Sequence, residues 1–332
     1  AIPKESTVLV TGVNGYIGSH TADQLLSLGY KVRGTVRDAT KSQWAQQLFD
    51  KKYGKGKFEL FVVSDIAVDG AFDEAVKGVA GISHMASDLS FSPDPNVVIP
   101  PTIASTVGIL KSAAKEPSVK RVVYTSSSTA QAFPTPNTVF EITSDTWNEP
   151  ASKLAWAPAP YTPDRALPVY AASKVEAERA AWKFVEENKP GFEFSTVLPA
   201  GNFGPALHEG QSSPTLGWIQ TLIKGDLETV SKFGISPQYF VDVRDTARLH
   251  AAAIVVPSVK SERILAYAEP YNWSQLLDIL RKAYPAREWP SNIPNEAKDL
   301  STVTKARARS VEVLKALGRK DFISLEESVK DS

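Results

Sequence analysis

A short β-branched and aliphatic run, Thr7–Val10, leads directly into Thr11-Gly12-Val13-Asn14-Gly15-Tyr16-Ile17-Gly18, which opens an amphipathic stretch ending near Leu28. The spacing is G-x-x-G-x-x-G at a strand-to-helix junction. One glycine permits the tight turn, one lets backbone approach a pyrophosphate, and one lets the helix pack closely on the sheet. Free amides at the helix start then face the negative charge. Glycines cluster in many turns, but this structural context is the one that gives the motif its meaning. Thr11, Gly12, Asn14, Gly15, Tyr16, Ile17 and Gly18 are therefore candidate dinucleotide-binding residues.

The alternation continues downstream. Lys31–Val36, Phe58–Val63, Gly81–Met85 and Arg121–Tyr124 read as buried strands. Ser42–Lys52, Ala71–Lys77 and Thr102–Lys115 read as the helices between them. Strands of four to six apolar residues separated by helices imply a parallel sheet covered on both faces. The expected fold is α/β, a Rossmann-type doubly wound sheet. Pro134–Pro168 loses periodicity, yet Trp147, Trp156 and Tyr161 make it a folded loop over a site rather than a disordered tract. A long helix, Val169–Asn188, and a strand, Phe192–Leu198, follow. Tyr239–Val256 reads as strand plus helix of the first sheet. The expected division is residues 1–198 plus 239–257 for the dinucleotide-binding domain, with 199–238 plus 258–332 as a smaller, discontinuous substrate-binding lobe.

Composition removes several function classes. Lys plus Arg and Asp plus Glu are both 37, so no basic excess speaks for nucleic acid. There is no cysteine, which excludes disulfides, thiolate nucleophiles and cysteine-ligated zinc, and fits a reducing, cytoplasmic compartment. The four histidines, at 20, 84, 208 and 250, lack the spacing of a metal site. The Pro-broken apolar run around Val97–Leu110 falls short of a bilayer span, which needs roughly 20 residues. The N-terminus lacks the apolar core of a signal peptide.

The end of the second strand distinguishes the nicotinamide cofactors. NAD-binding units place an acidic residue there for the ribose hydroxyls. Here Arg37 ends the strand, with Lys41 beyond it, and a guanidinium fork suits a phosphate. That favours NADPH/NADP+, with Asp38 on a ribose as the competing reading. Asp65 and Ile66, after the third strand, border the adenine or simply cap a turn.

Tyr170-Ala171-Ala172-Ser173-Lys174 begins the long helix and puts phenol and ammonium on one face, one turn apart. A nearby ammonium favours the phenolate, which would bring the tyrosine into proton-transfer range. Thr125-Ser126-Ser127-Ser128-Thr129 leaves the C-terminal edge of the sheet, where one hydroxyl can stabilise charge developing on a carbonyl oxygen. Spacing does not say which serine.

These features resemble the extended short-chain dehydrogenase/reductases over essentially the whole chain, and within them the dihydroflavonol-reductase-like branch with its yeast NADPH-dependent aldehyde and carbonyl reductases. The resemblance rests on Thr11–Gly18, Val32–Asp38, Thr125–Ser127, Tyr170–Lys174, Leu198-Pro199, Phe240–Asp245 and Ser324–Glu327. It implies Ser127 as the catalytic serine, Tyr170 as proton donor and Lys174 as ribose-binding partner. It also implies Arg37 at the 2′-phosphate with Lys41 assisting, Pro199 along the nicotinamide, and His84–Ser87, including Ala86 and Ser87, on the cofactor ribose side. The chain departs from many relatives in having Gly108 where they carry a helical Asn. It also has Ala132 where dihydroflavonol reductases hold their polyphenol with Asn. Phe91 and Phe133 are candidate substrate walls, as are Trp218 and Tyr239. The expected activity is NADPH-dependent reduction of small-molecule aldehydes and ketones, keto esters included, by a monomer or homodimer without membrane or metal. The alternatives are an NAD-dependent nucleotide-sugar epimerase or dehydratase, and a non-catalytic NADP-sensing regulatory protein.

Overall fold

A computed structural model describes Ala1–Ser332. In chain order the elements are β1 (Thr7–Thr11), α1 (Tyr16–Ser27), β2 (Lys31–Val36), α2 (Gln43–Tyr53), β3 (Phe58–Val62), β4 (Gly81–His84) and α3 (Pro95–Lys115). They continue with β5 (Arg121–Thr125), α4 (Glu149–Ala155), α5 (Ala166–Asn188), β6 (Glu193–Pro199), β7 (Gly201–Phe203), α6 (Pro214–Ile223) and α7 (Leu227–Phe233). The last are β8 (Gln238–Asp242), α8 (Val243–Val255), β9 (Arg263–Ala266), β10 (Glu269–Tyr271), α9 (Trp273–Ala283), α10 (Thr304–Lys315) and α11 (Leu325–Asp331).

Seven parallel strands form the main sheet in the order β3-β2-β1-β4-β5-β6-β9. Side chains alternate across it, as the strand period requires. Val8 and Val10 face a core shared with Ala22 and Leu25 of α1 and Leu249 of α8. Leu9 faces the opposite core, with Ile109 and Leu110 of α3 and Ala177 of α5. The strand order reverses between β1 and β4, and the crevice at such a switch point is where ligands bind in this architecture. The doubly wound α/β fold expected from the sequence is therefore present.

Two parts of the expected division are corrected. The strand at Tyr239 does not join the main sheet: β8 pairs in parallel with β7 and antiparallel with β10 in a separate three-stranded sheet. Only the helix of that pair, α8, packs on the main sheet and on α1. Conversely, Arg263–Ala266, placed in the lobe by its Pro- and Gly-broken surroundings, pairs with Thr196–Pro199 as the seventh strand. The satisfied edge of β6 explains this, because an unpaired row of backbone groups there would otherwise need another partner.

The expected helix at Ala71–Lys77 is a series of turns, bounded by Gly70 and Gly78, both at positive φ. The helix expected from Thr102 starts instead at Pro95, capped by Asp94, and runs through Pro100 and Pro101. The carbonyls those prolines leave without an i+4 donor belong to Asn96 and Val97, both exposed residues, so the loss falls on the solvent side of the helix. The resulting 21-residue α3 is long and apolar enough to cross a membrane by length and composition alone. It lies instead along α5 over the sheet, as a core helix does.

Three buried histidines make stability pH-dependent. Burial lowers His84 to about 3 and His250 to about 4, and also lowers His20. An unfolded chain titrating at the ordinary 6.5 binds more protons below that value, so this stabilisation is complete above pH 6.5 and is lost as pH falls toward 4. Asp245 opposes it: burial raises its carboxyl from 3.8 to about 6, so its protonation favours the fold across that interval. Three imidazoles outweigh one carboxyl. The urea midpoint is expected to be lower at pH 5 than at pH 7.5, and an equal or higher midpoint at pH 5 contradicts this assignment.

Candidate active site

The glycine loop is set by close packing. Gly12 has φ +64, and a Cβ there would meet the Ala86 backbone at 3.3 Å. A Cβ on Gly18 would sit 2.3 Å from the Gly12 carbonyl oxygen, so only glycine lets α1 start this close to β1. A Cβ on Gly15 would lie 3.1 Å from the same oxygen. No side chain caps α1, and the amides of Asn14, Tyr16, Ile17 and Gly18 donate to no protein group. Four free amides at a helix N-terminus form a site for an anion. The Tyr16 side chain itself faces elsewhere: its hydroxyl donates to the Gly204 carbonyl at 2.6 Å, and the ring is buried with Leu216, Val243 and the partly buried Ile17.

The Thr11 hydroxyl organises the neighbouring strand end. It accepts the amides of Met85 at 2.9 Å and Ala86 at 3.0 Å, so its own proton goes to His84 Nδ1 at 2.9 Å. That leaves His84 Nε2 as the N–H facing Ser105, 3.3 Å away. The residues expected on the cofactor side thereby come to the mouth of the glycine loop.

At the end of β2, Arg37 is exposed and has neither an ion pair nor a side-chain hydrogen bond, so its guanidinium is available. Asp38 is committed locally: it accepts the Lys41 amide at 3.2 Å and stands 4.0 Å from the Lys41 ammonium. Asp65 caps the following turn by accepting the Ala67 amide at 2.9 Å, while Ile66 packs partly buried on the sheet.

The hydroxyls and the helix meet at the C-terminal edge of the sheet. Ser127 Oγ accepts from the Thr129 amide at 3.2 Å and the Thr129 hydroxyl at 3.0 Å, which leaves the Ser127 proton free to donate. The Lys174 ammonium donates to Ser87 Oγ and to the Thr125 carbonyl, each at 3.2 Å. Burial lowers its pKa to about 8, opposed by the charge of Glu178. Burial raises the Tyr170 phenol, and the neighbouring Ser127 hydroxyl pulls it back. The expected pull of the Lys174 ammonium on the phenol is not what this arrangement gives. The ammonium is engaged by Ser87 and Thr125, and Ser127 is the group that favours the phenolate.

Phe91, at φ +51, packs its ring on Tyr170 with centroids 5.0 Å apart. Phe133 lines a narrow cleft beside the Ser127 turn with Ser128, Phe140, Tyr239 and Tyr267. Pro199 is buried at the end of β6. Trp218 turns away to stack edge-on with Trp273. No three His, Asp or Glu side chains converge to ligate a metal.

Residues 8–265 match the model of the NAD dependent epimerase/dehydratase family. The chain belongs to that family. Among relatives, it is 42% identical to aldehyde reductase 2 of Sporidiobolus salmonicolor, over 99% of this chain and 96% of that one. It is 43% identical to ketoreductase adrE of Penicillium rubens, with the same two coverages. Among solved family structures it resembles yeast methylglyoxal/isovaleraldehyde reductase Gre2 complexed with NADPH, with a TM-score of 0.81, 26% identity, and 98% and 96% of the two chains covered. Gre2 of Candida albicans in complex with NADPH gives a TM-score of 0.83 and 27% identity, covering 99% and 97%.

Several contributors to the site were not singled out from the sequence. Gln211 reaches back from the second lobe to Ser19 Oγ at 2.8 Å and the Gly15 carbonyl at 3.3 Å, clamping the loop from above. Nothing in its local pattern signals this. Glu178 is different: it follows Tyr170 and Lys174 at the same four-residue step, on a face otherwise lined by Ala177 and Ala181. An acid at that register was a readable sign.

If the free guanidinium of Arg37 takes a phosphate, Arg37→Ala forfeits a charge-assisted contact of about 1.5–3 kcal/mol, roughly 10- to 100-fold in affinity. A fluorescence titration is expected to show that loss for NADPH and little change for NADH. Equal losses for both place the phosphate elsewhere.

Proposed function

We propose that this chain uses NADPH to reduce small-molecule aldehydes and ketones, keto esters included, to alcohols, with Tyr170 as the proton donor. The observation that carries this reading is the assembly of Tyr170, Ser127 and Lys174 at the sheet edge bordering a cradle of free amides. Those amides, the space left by Gly12 and Gly15, and the unpaired Arg37 fit a dinucleotide bearing an additional phosphate. When bound, NADPH supplies the hydride that the carbonyl carbon receives.

The chain supplies the rest. The Ser127 hydroxyl, with its oxygen already occupied by two Thr129 donors, presents its proton to the carbonyl oxygen and stabilises charge as it develops there. The Tyr170 phenol is kept protonated by burial and donates its proton to that oxygen. Lys174, with its pKa lowered only to about 8, remains mostly an ammonium at neutral pH and is placed to bind ribose hydroxyls beside Ser87. Phe91 and Phe133 form apolar walls for the substituents on the carbonyl.

An epimerase or dehydratase of this family would share the loop and the Tyr/Lys pair. Arg37 at the strand end speaks for a phosphate-bearing cofactor instead. A cofactor sensor has no use for Tyr170 and Lys174 together with Ser127. A cytoplasmic location, in keeping with a sequence free of cysteine, and a monomer or homodimer complete the reading.

Tyr170→Phe removes only the donated proton. General acid catalysis is worth about 10²–10⁴-fold, and kcat is expected to fall within that range while the NADPH dissociation constant stays unchanged. Near-normal turnover by the variant contradicts the proton-donor role.

A further inference from the structure

Behind the three catalytic groups lies a buried ion pair. Glu178 on α5 and Arg263 at the start of β9 meet at 2.8 Å, with side chains 0% and 8% exposed. Taking two charges out of water is costly unless the remaining lone pairs and N–H groups also find partners. Here they do. Glu178 accepts from the Ser126 hydroxyl at 2.6 Å, the Thr196 hydroxyl at 2.7 Å and the Trp182 indole at 3.3 Å. Arg263 donates to the carbonyls of Ser144 at 2.5 Å and Thr146 at 2.8 Å, and its guanidinium lies 3.8 Å from the Trp147 ring centroid.

The partners have a common geometry. Ser126 directly precedes Ser127. Beyond Ser127, the Asn148 side chain donates to the Thr129 carbonyl at 2.8 Å, and its amide donates to the Ala130 carbonyl at 2.9 Å. The backbone bearing Ser127 is thus gripped on both sides, by Glu178 before it and by Asn148 after it. Glu178 also shares one face of α5 with Tyr170 and Lys174. Sliding or rotation of α5 against Ser127 would break the Glu178–Ser126 bond.

We propose that Glu178, neutralised by Arg263, is a positioning residue for the reduction: by holding Ser126 it fixes Ser127 in register with Tyr170 and Lys174. The proposal rests on the reading of those three residues given above. Removing one partner of a buried ion pair costs about 3–5 kcal/mol because the other charge is left uncompensated, so Ser126→Ala, which leaves the pair intact, is the variant that separates positioning from stabilisation of the fold. Glu178 also acts on Lys174 through space. The groups facing that ammonium are Glu178 on α5, the Tyr124 ring 5.4 Å away on β5, His84 on β4, and the Ser87 and Thr125 oxygens. Of these, Glu178 raises the Lys174 pKa.

The test compares purified Glu178→Gln, Ser126→Ala and Tyr170→Phe proteins. Misplacement of reacting groups by about 1 Å costs on the order of 10²-fold. Glu178→Gln is expected to lower kcat at saturating NADPH by about tenfold or more. The high-pH limb of its kcat profile should also move to lower pH, because Lys174 loses the charge that holds its pKa up. Ser126→Ala keeps the ion pair and is expected to lower kcat with that limb in place. Wild-type kcat and an unmoved limb in Glu178→Gln, with Tyr170→Phe inactive, overturn the positioning role alone. An active Tyr170→Phe overturns the underlying reading instead. Undiminished kcat in Ser126→Ala overturns the route through Ser126, and decides the matter by itself if Glu178→Gln does not fold.

Discussion

The site depends on the close approach of α1 to the turn that follows β1. Gly18 can sit over the Gly12 carbonyl only because it carries no side chain, since a Cβ there would approach that oxygen to 2.3 Å. This approach leaves the amides of Asn14, Tyr16, Ile17 and Gly18 without acceptors at the crevice where the strand order reverses. The second lobe then locks the arrangement through the Tyr16–Gly204 and Gln211–Ser19 hydrogen bonds, and the Gly204 amide is itself held by the Ser332 hydroxyl at 2.8 Å. Residues near both ends of the chain thus converge on the anion cradle.

The proposed catalytic groups reach the cradle from the adjoining strands and from α5. Burial acts on them in opposite senses. It favours the neutral phenol of Tyr170, suiting a proton donor, and it lowers Lys174, where Glu178 resists. The ammonium therefore stays charged near neutrality in a site where most charge has been removed. The same physics keeps His84 neutral, so that it serves as a hydrogen-bonding link between Thr11 and Ser105 rather than as a titrating group.

Much of this was legible in the sequence because its signals are local. The glycine triplet, the Arg37 strand end and the Tyr170–Lys174 step depend on neighbours within a turn or two, and the first two follow the C-terminal ends of adjacent parallel strands. The errors arose where long-range pairing decides. Gln238–Asp242 followed by α8 has the pattern of a strand–helix unit of the main sheet, yet its partners are β7 and β10. The four residues Arg263–Ala266 carry too little pattern to announce a seventh strand, whose place is set by the open edge of β6. Pro100 and Pro101 looked like a break, but the carbonyls left without a donor one turn earlier belong to exposed residues on the solvent side of the helix. The clamp by Gln211 joins residues nearly two hundred positions apart, and no local pattern encodes it.

The central claim is that the cradle and the phenol serve one direct transfer of hydride from NADPH to a carbonyl carbon. It is tested most directly with NADPH deuterated at the transferable position of its nicotinamide ring and a ketone substrate, with the alcohol examined by NMR. The account requires deuterium on the carbinol carbon, one atom for each NADPH oxidised. An alcohol free of deuterium, or NADPH that binds without being oxidised by any carbonyl offered, contradicts it.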